Sequence, residues 1–285
     1  MQEYNLNNLQ LIAQGGEANI YNIGNDKILR VIRNAKGKVF GTEKQLFQIL
    51  KENHINVPTI YEYVETENMS AQVMQKIVGN TMLEQMQQHP LKMAQETRKI
   101  AAMHVHILDI HSDCQLHSIE DMFNYFISQP PRCDKKLIDF ASSIIKELPI
   151  DNYICHGDFH PGNILIQNDT YYIIDWSGAY HSNYLSDIAH TYLLMTTVPK
   201  IPGQSHMQHY IINFIGSYMA KTYLKEILKL KIFSLAEFSK WTVVMSLLRV
   251  YYGEPSEKSI RINYLNKCYE LSQKNIDAAT WYKYL

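Results

Sequence analysis

Near the middle of the chain, His156-Gly157-Asp158-Phe159-His160-Pro161-Gly162-Asn163 is followed twelve residues later by Asp175, in the run YYIIDW. Two acids and an amide at this spacing suit the transfer of a phosphoryl group to a hydroxyl. The attacking hydroxyl needs a carboxylate to orient it and accept its proton. The phosphates need a divalent cation, and magnesium prefers hard oxygen ligands. Asp158 can serve as the base, with Asn163 and Asp175 as oxygen ligands of the metal. A lone Asp or Asn in a loop is usually a turn former; the three together, in this order, are harder to read that way.

The segment between the two ligands fits this assignment. NILIQNDTYYIID reads as a strand, a turn at Asn168-Asp169 and a second strand. Such a hairpin brings Asn163 and Asp175 to one open end. Protein kinases divide the labour in the same way, with a loop Asp as base and an Asn and a later Asp on metal.

The flanking elements change character along the chain. Residues 9–33 read as an antiparallel meander, with turns at GGEA and GND. Residues 41–53 switch to a helical period through Leu46, Ile49 and Leu50, with Thr42 as the candidate N-cap. VPTIYEYVE and SAQVMQKIVG read as two further strands, and Gly79 marks a break. From Thr81 to about Leu148 helical periods dominate, clearest at Met93, Ile100, Met103 and Ile107, with an interruption at Pro130-Pro131. Residues 153–176 return to short strands and loops. From Leu185 the pattern is helical almost to the end, broken at 199–203 and 253–255. The expected organisation is α+β: a β-rich N-terminal lobe over 1–78 and a larger, mainly helical lobe over 79–285.

CHGDFHPGNIL followed by IIDW resembles the catalytic and metal-binding motifs of the aminoglycoside phosphotransferase and choline kinase superfamily. These are small-molecule relatives of protein kinases. The resemblance is tight over 153–176 and loose over the rest of residues ~11 to ~195. It implies a two-lobed, protein-kinase-like fold with ATP or GTP and magnesium in the cleft. It also implies roles upstream. GGEANIY, with Gly15 and Gly16, matches the loop that covers the phosphates. KILRVIR matches the strand whose cation grips the α- and β-phosphates, and Arg30 stands there in place of the usual lysine. An arginine fork is not equivalent to a lysine point charge, and Arg33 at the strand end is the alternative. TEKQLFQIL matches the helix whose acid pairs with that cation, which points to Glu43; Glu43 also reads as an ordinary acid near a helix start. VMQKIVG matches the hinge where adenine meets the backbone of Gln75 and Ile77 beside Met74. SDIAH matches an anchoring segment and gives Asp187 a structural role, with helix capping, together with Ser186, as the plainer reading.

The remaining chemistry-bearing residues read as structural. His156 is expected to hold its loop through hydrogen bonds. His-x-x-x-His at 156 and 160 lacks the helical context of a metal site. His104 and His106 lie on different helix faces and read as ordinary helix residues. The four cysteines form neither a zinc nor a disulfide pattern. The N-terminus has no signal-peptide pattern and no apolar run approaches the ~20 residues of a membrane span. The net charge of -1 favours neither nucleic acid nor an anionic membrane. A cytoplasmic protein acting on a small-molecule acceptor is expected, without nucleic-acid or membrane partners.

The acceptor is less legible. From Trp176 to the end there are seven acids against twelve Lys and Arg. A polycationic aminoglycoside would favour the opposite balance. Tyr251, Tyr252 and Trp241 are candidates for an aromatic cage around a choline-like amine, although packing is the plainer reading. A sugar, a nucleoside, an antibiotic or an anionic metabolite stays open. Eleven residues between Asp175 and Asp187, with no Ala-Pro-Glu after them, leave little room for the activation segment of a protein kinase. A nucleotide-binding regulator without catalysis is the other alternative, and the presence of Asp158, Asn163 and Asp175 argues against it.

Overall fold

The computed structural model describes residues 4–15, 18–33, 41–67, 69–198 and 203–285. The chain forms two compact units, one of Met1–Gln85 with Gly162–Ile174 and one of Met86–Pro161 with Asp175–Leu285.

The first unit holds β1 (Gln10–Gln14), β2 (Ala18–Gly24), β3 (Lys27–Ile32), α1 (Gly41–Glu52), β4 (Ile60–Thr66), β5 (Met69–Gln75) and β6 (Asn80–Thr81). The short α2 (Met82–Gln88) then carries the chain out of it. The first five strands make one antiparallel sheet in the order β1-β2-β3-β5-β4. Strand alternation sends Leu29, Val31, Val64, Ala71 and Val73 to one buried face, against Tyr4, Leu6, Tyr21 and Ile23. Arg30 and Gln72, register partners on β3 and β5, therefore project from the other. The β2–β3 turn places Asn25 and Asp26 at positive φ, the backbone of a two-residue hairpin loop that Asn and Asp tolerate. Helix α1 buries Leu46, Phe47 and Leu50. It begins at Gly41, so Thr42 lies inside its first turn and is not its N-cap.

In the second unit β7 (Tyr153–Cys155) precedes the loop of interest. The chain then returns to the first unit as β8 (Ile164–Gln167) and β9 (Thr170–Ile173), which complete a three-stranded sheet in the order β6-β8-β9. Gly79 is needed here for close approach: a Cβ on it would lie 1.8 Å from the Ile166 carbonyl oxygen.

Back in the second unit, β10 (Tyr180–Ser182) pairs antiparallel with β7. The rest is helical: α3 (Met93–Ile107), α4 (Ile119–Ile127), α5 (Lys135–Ile145), α6 (Tyr184–Thr196), α7 (His206–Leu230), α8 (Leu235–Tyr252) and α9 (Lys258–Gln273). Helix α8 is buried on all sides from Trp241 to Tyr251, as expected of a central helix apolar all round. It packs against α5, α6 and α9, while α7 packs against α3 and α6. The break between α7 and α8 has no proline or glycine to announce it. Ser234 makes it, accepting from the Ala236 and Glu237 N–H groups. Among the described residues no helix is long and apolar enough to cross a membrane, and the four cysteines are free.

Candidate active site

The loop after β7 is tied to α6 through its own backbone. Asp187 is fully buried in the first turn of α6. Its carboxylate accepts from the His156 N–H at 2.6 Å and the Gly157 N–H at 3.1 Å. One turn further, the Thr191 hydroxyl donates to the Phe159 carbonyl at 3.0 Å. Within the loop, the Asp158 N–H donates to His156 Nδ1 at 3.2 Å. Gly157 sits at φ +80° with its Cα against Gly178, and a Cβ there would lie 2.0 Å from the Gly178 oxygen. Only glycine fits both the left-handed backbone and the contact. His156 thus holds the loop, as its position suggested. Asp187 is a clamp and not a cap: Asn183 caps α6 by accepting from the Leu185 N–H.

A buried relay backs the clamp. His104 of α3 lies 3.0 Å from Asp187 through Nε2 and 2.6 Å from the Tyr223 hydroxyl of α7 through Nδ1. Its ring stacks on Phe159 with centroids 4.2 Å apart. Burial alone would raise the Asp187 carboxyl, but the hydrogen bond and charge of His104, with His156 and His190, hold it below the usual range. Sequence reasoning missed His104, and a signal was available. It falls four residues after Ile100 and three before Ile107, on the buried stripe of its helix.

With its backbone held, the loop presents the Asp158 side chain, 41% exposed, with His160 Nε2 3.5 Å away. Burial would raise this carboxyl too. The hydrogen bond and charge of His160 outweigh it and hold Asp158 well below the usual carboxylate range, aided by His190 and His156. Asp158 is therefore ionised at any physiological pH.

Asn163 ends the short turn Pro161–Asn163 that leads into β8. The β8–β9 hairpin turns at Asn168 and Asp169, both at positive φ, with Gln167 opposite Thr170. At its open end the Ile174 N–H donates to the Asn163 carbonyl at 2.9 Å, so Asn163 stands opposite the residue bonded to Asp175. Asp175 itself is exposed and left-handed, at φ 62° and ψ 62°. An acid in that conformation is uncommon and marks a position worth chemical scrutiny. Its Oδ1 accepts from the Ser177 hydroxyl at 2.7 Å. A carboxylate and an amide are hard oxygen donors, a set that fits magnesium shared with substrate phosphates.

On the first unit's sheet Arg30 Nη1 donates to Glu43 Oε1 at 3.1 Å and to Gln72 Oε1 at 2.9 Å. Gln72 Nε2 donates to the other Glu43 oxygen, closing a three-membered ring of side chains. Gln72 carried no signal in the sequence. The Glu43 charge, after burial, pushes the neighbouring Tyr63 hydroxyl up to about 12. Arg33 is engaged elsewhere, with Nε and Nη2 on Asn19 Oδ1 at 3.0 and 2.8 Å. Gly15 donates to the Ala18 carbonyl at 2.9 Å across the β1–β2 turn; Gly16 lies outside the described residues. At the end of β5, Met74 is buried and the Gln75 N–H is taken by the Thr59 carbonyl at 2.8 Å. Ile77, past the strand, makes no backbone hydrogen bond among the described residues.

The aromatic cage does not form. Trp241 and Tyr251 are buried core residues. The Tyr252 ring is already occupied by a cation of the chain, the Arg249 guanidinium, at 5.8 Å.

No curated protein matches the chain in sequence. Among solved structures, a choline/ethanolamine kinase family protein from Mesorhizobium loti aligns over 96% of this chain and 92% of its own, with a TM-score of 0.62 at 11% identity. Amicoumacin kinase, in complex with AMP-PNP, Ca2+ and Ami, aligns over 95% and 90%, with a TM-score of 0.62 at 16% identity. An aminoglycoside phosphotransferase from Streptomyces rimosus, bound to ADP and streptomycin, aligns over 84% and 92%, with a TM-score of 0.58 at 11% identity. At these identities the likeness concerns the fold, which is kinase-like. The sequence profile of the Phosphotransferase enzyme family matches residues 8–214, most of the chain, and the protein belongs to that family.

Proposed function

We propose that the protein transfers the γ-phosphate of ATP or GTP to a hydroxyl of a small molecule. Asp158 orients the hydroxyl and accepts its proton, and Asn163 and Asp175 hold magnesium. One observation carries this reading: a loop clamped through its backbone by a buried acid, with the Asp158 carboxylate left exposed and ionised. A carboxylate so stabilised is a weak base in the ground state. Phosphoryl transfer passes through a loose transition state, so orienting the hydroxyl matters more than removing its proton early. Magnesium, when bound, would neutralise charge developing on the phosphate oxygens.

Arg30 is the preferred phosphate ligand. Both of its hydrogen bonds among the described residues use Nη1, whereas Arg33 commits Nε and Nη2 to Asn19. Glu43 would hold Arg30 in place, Gly15 and Gly16 would cover the phosphates, and adenine would lie beside Met74. Because the Gln75 N–H is already used, the hinge contacts would be the Gln75 carbonyl and the Ile77 N–H. The neighbours bound to AMP-PNP and ADP support a nucleotide co-substrate. A protein acceptor is disfavoured by the segment after Asp175. It runs directly into β10, whose three residues are buried against β7, and then into α6.

The test is a pair of variants. Asp158→Ala should abolish turnover while magnesium-nucleotide binding, measured by calorimetry, stays within about threefold, since the side chain contacts no phosphate. Asp175→Ala should weaken that binding and its magnesium dependence. Unchanged turnover in the first variant sinks the mechanism, and normal magnesium dependence in the second removes the metal assignment.

A further inference from the structure

Helix α6 carries more than the clamp. Between Asp187 and Thr191, which hold the catalytic loop, lies His190. Its Nε2 is 3.0 Å from Arg249 Nη1 of α8. Arginine can only donate, so Nε2 accepts and the ring proton sits on Nδ1. Burial, then the Arg249 charge, pushes this imidazole down to about 3, so it is neutral in use. Its Nδ1–H is fully buried and has no partner among the described residues. A buried donor without a partner is rare and marks a place that a ligand atom can complete.

Arg249 extends the cluster. Its Nε donates to Glu257 Oε2 at 2.9 Å, and its Nη2 donates to the other oxygen of that carboxylate. Arg261 donates to the same carboxylate at 3.0 Å and to the Leu193 carbonyl at 2.9 Å. Two guanidinium groups share one carboxylate, all of them buried. The cluster therefore carries one positive charge in excess. Tyr252 lies at its mouth, 37% exposed, with its hydroxyl 3.5 Å from His190 Nε2 and its ring 5.4 Å from that of Phe126. The Thr191 hydroxyl, one residue after His190, donates to the carbonyl of Phe159, one residue after Asp158, at 3.0 Å, which brings the cluster to the Asp158 loop, and the charge of Asp158 is felt at His190, Arg249 and Tyr252.

We propose that His190, Arg249 and Tyr252 form an acceptor subsite beside Asp158 that receives oxygen atoms and rejects ammonium groups. It presents the His190 Nδ1–H, the Tyr252 hydroxyl and the positive charge left after Glu257 is shared by Arg249 and Arg261. The matching acceptor bears hydroxyl, carbonyl or carboxylate groups next to the reacting hydroxyl, as in a sugar or a hydroxy acid. A cationic group there would meet the Arg249–Arg261 charge with no acid of its own to pair. This inference rests on the phosphotransfer reading above.

The experiment measures magnesium-dependent consumption of ATP and GTP by the full chain with matched acceptor pairs. Each pair is a sugar or hydroxy acid and the amino sugar or amino alcohol of the same skeleton. The best oxygen-only acceptor should exceed its amino counterpart by about tenfold or more in kcat/KM. Tyr252→Phe, which keeps the ring packing, and His190→Asn, which keeps an acceptor for Arg249, should each raise the acceptor KM and leave the nucleotide KM unchanged. An amine as the better partner of its pair overturns the subsite and leaves phosphotransfer standing. An unchanged acceptor KM in both variants does the same. No consumption with any acceptor overturns both readings.

Discussion

Each unit holds an acid-centred cluster, and the two clusters differ in their access to water. In the second unit Asp187 and His104 are fully buried, and the acid takes two backbone N–H groups as well as the imidazole. In the first unit Glu43 and Arg30 keep 21% and 14% of their side chains exposed, and among the described residues the acid bonds only side chains. The buried cluster fixes a backbone and cannot be re-solvated if a member is lost. The half-exposed one fixes a single guanidinium and can yield to water or to a ligand. The candidate catalytic loop is thus held through its backbone, while the candidate phosphate ligand keeps room to adjust.

Removing each acid is the direct way to break this comparison. Asp187→Ala strands two backbone donors and His104 in a dry interior, and should cost about 3–5 kcal/mol in urea unfolding along with all turnover. Gly157→Ala drives a Cβ into the Gly178 carbonyl from a left-handed backbone, and about 2 kcal/mol or more is expected by the same measurement. Glu43→Ala should cost only about 1 kcal/mol, raising the nucleotide KM with little change in kcat. Equal losses for Asp187→Ala and Glu43→Ala would erase the distinction between the clusters.

The last prediction concerns pH. The folded His190 is held near 3, below its unfolded 6.5. The unfolded chain therefore binds the proton first, and the stability contributed by this group is present above 6.5 and lost as pH falls toward 3. No more than about 1 kcal/mol should disappear between pH 6.5 and 5.5 on this account, and His190→Asn should flatten the profile over that window. An unchanged slope in the variant would mean that His190 is not held neutral. Asp158 and Asp187, with lowered pKa values, add their own loss only further down, through and below the carboxylate range.

The hairpin that links Asn163 to Asp175 was legible before any coordinates. Asn168-Asp169 between two β-rich runs is a local signal, and those residues do adopt the positive φ that a two-residue loop demands. The β-rich first region and helical second region followed from periodicity for the same reason. Short-range signals failed where termini are set by capping chemistry: Thr42 falls inside α1, Asn183 and not Ser186 or Asp187 caps α6, and Ser234 starts α8 without a breaker before it.

What the sequence by itself determined is the candidate trio Asp158, Asn163 and Asp175, the β-to-helix order of the chain and the family resemblance, because these depend on neighbours in the chain. What only the tertiary structure decided is how those residues are held. His104 meets Asp187 across 83 positions, Gln72 meets Glu43 across 29, and Arg249 meets His190 across 59. No local period encodes such pairings. They arise when burial makes an unpaired polar group costly and the packed helices and strands leave one partner within reach.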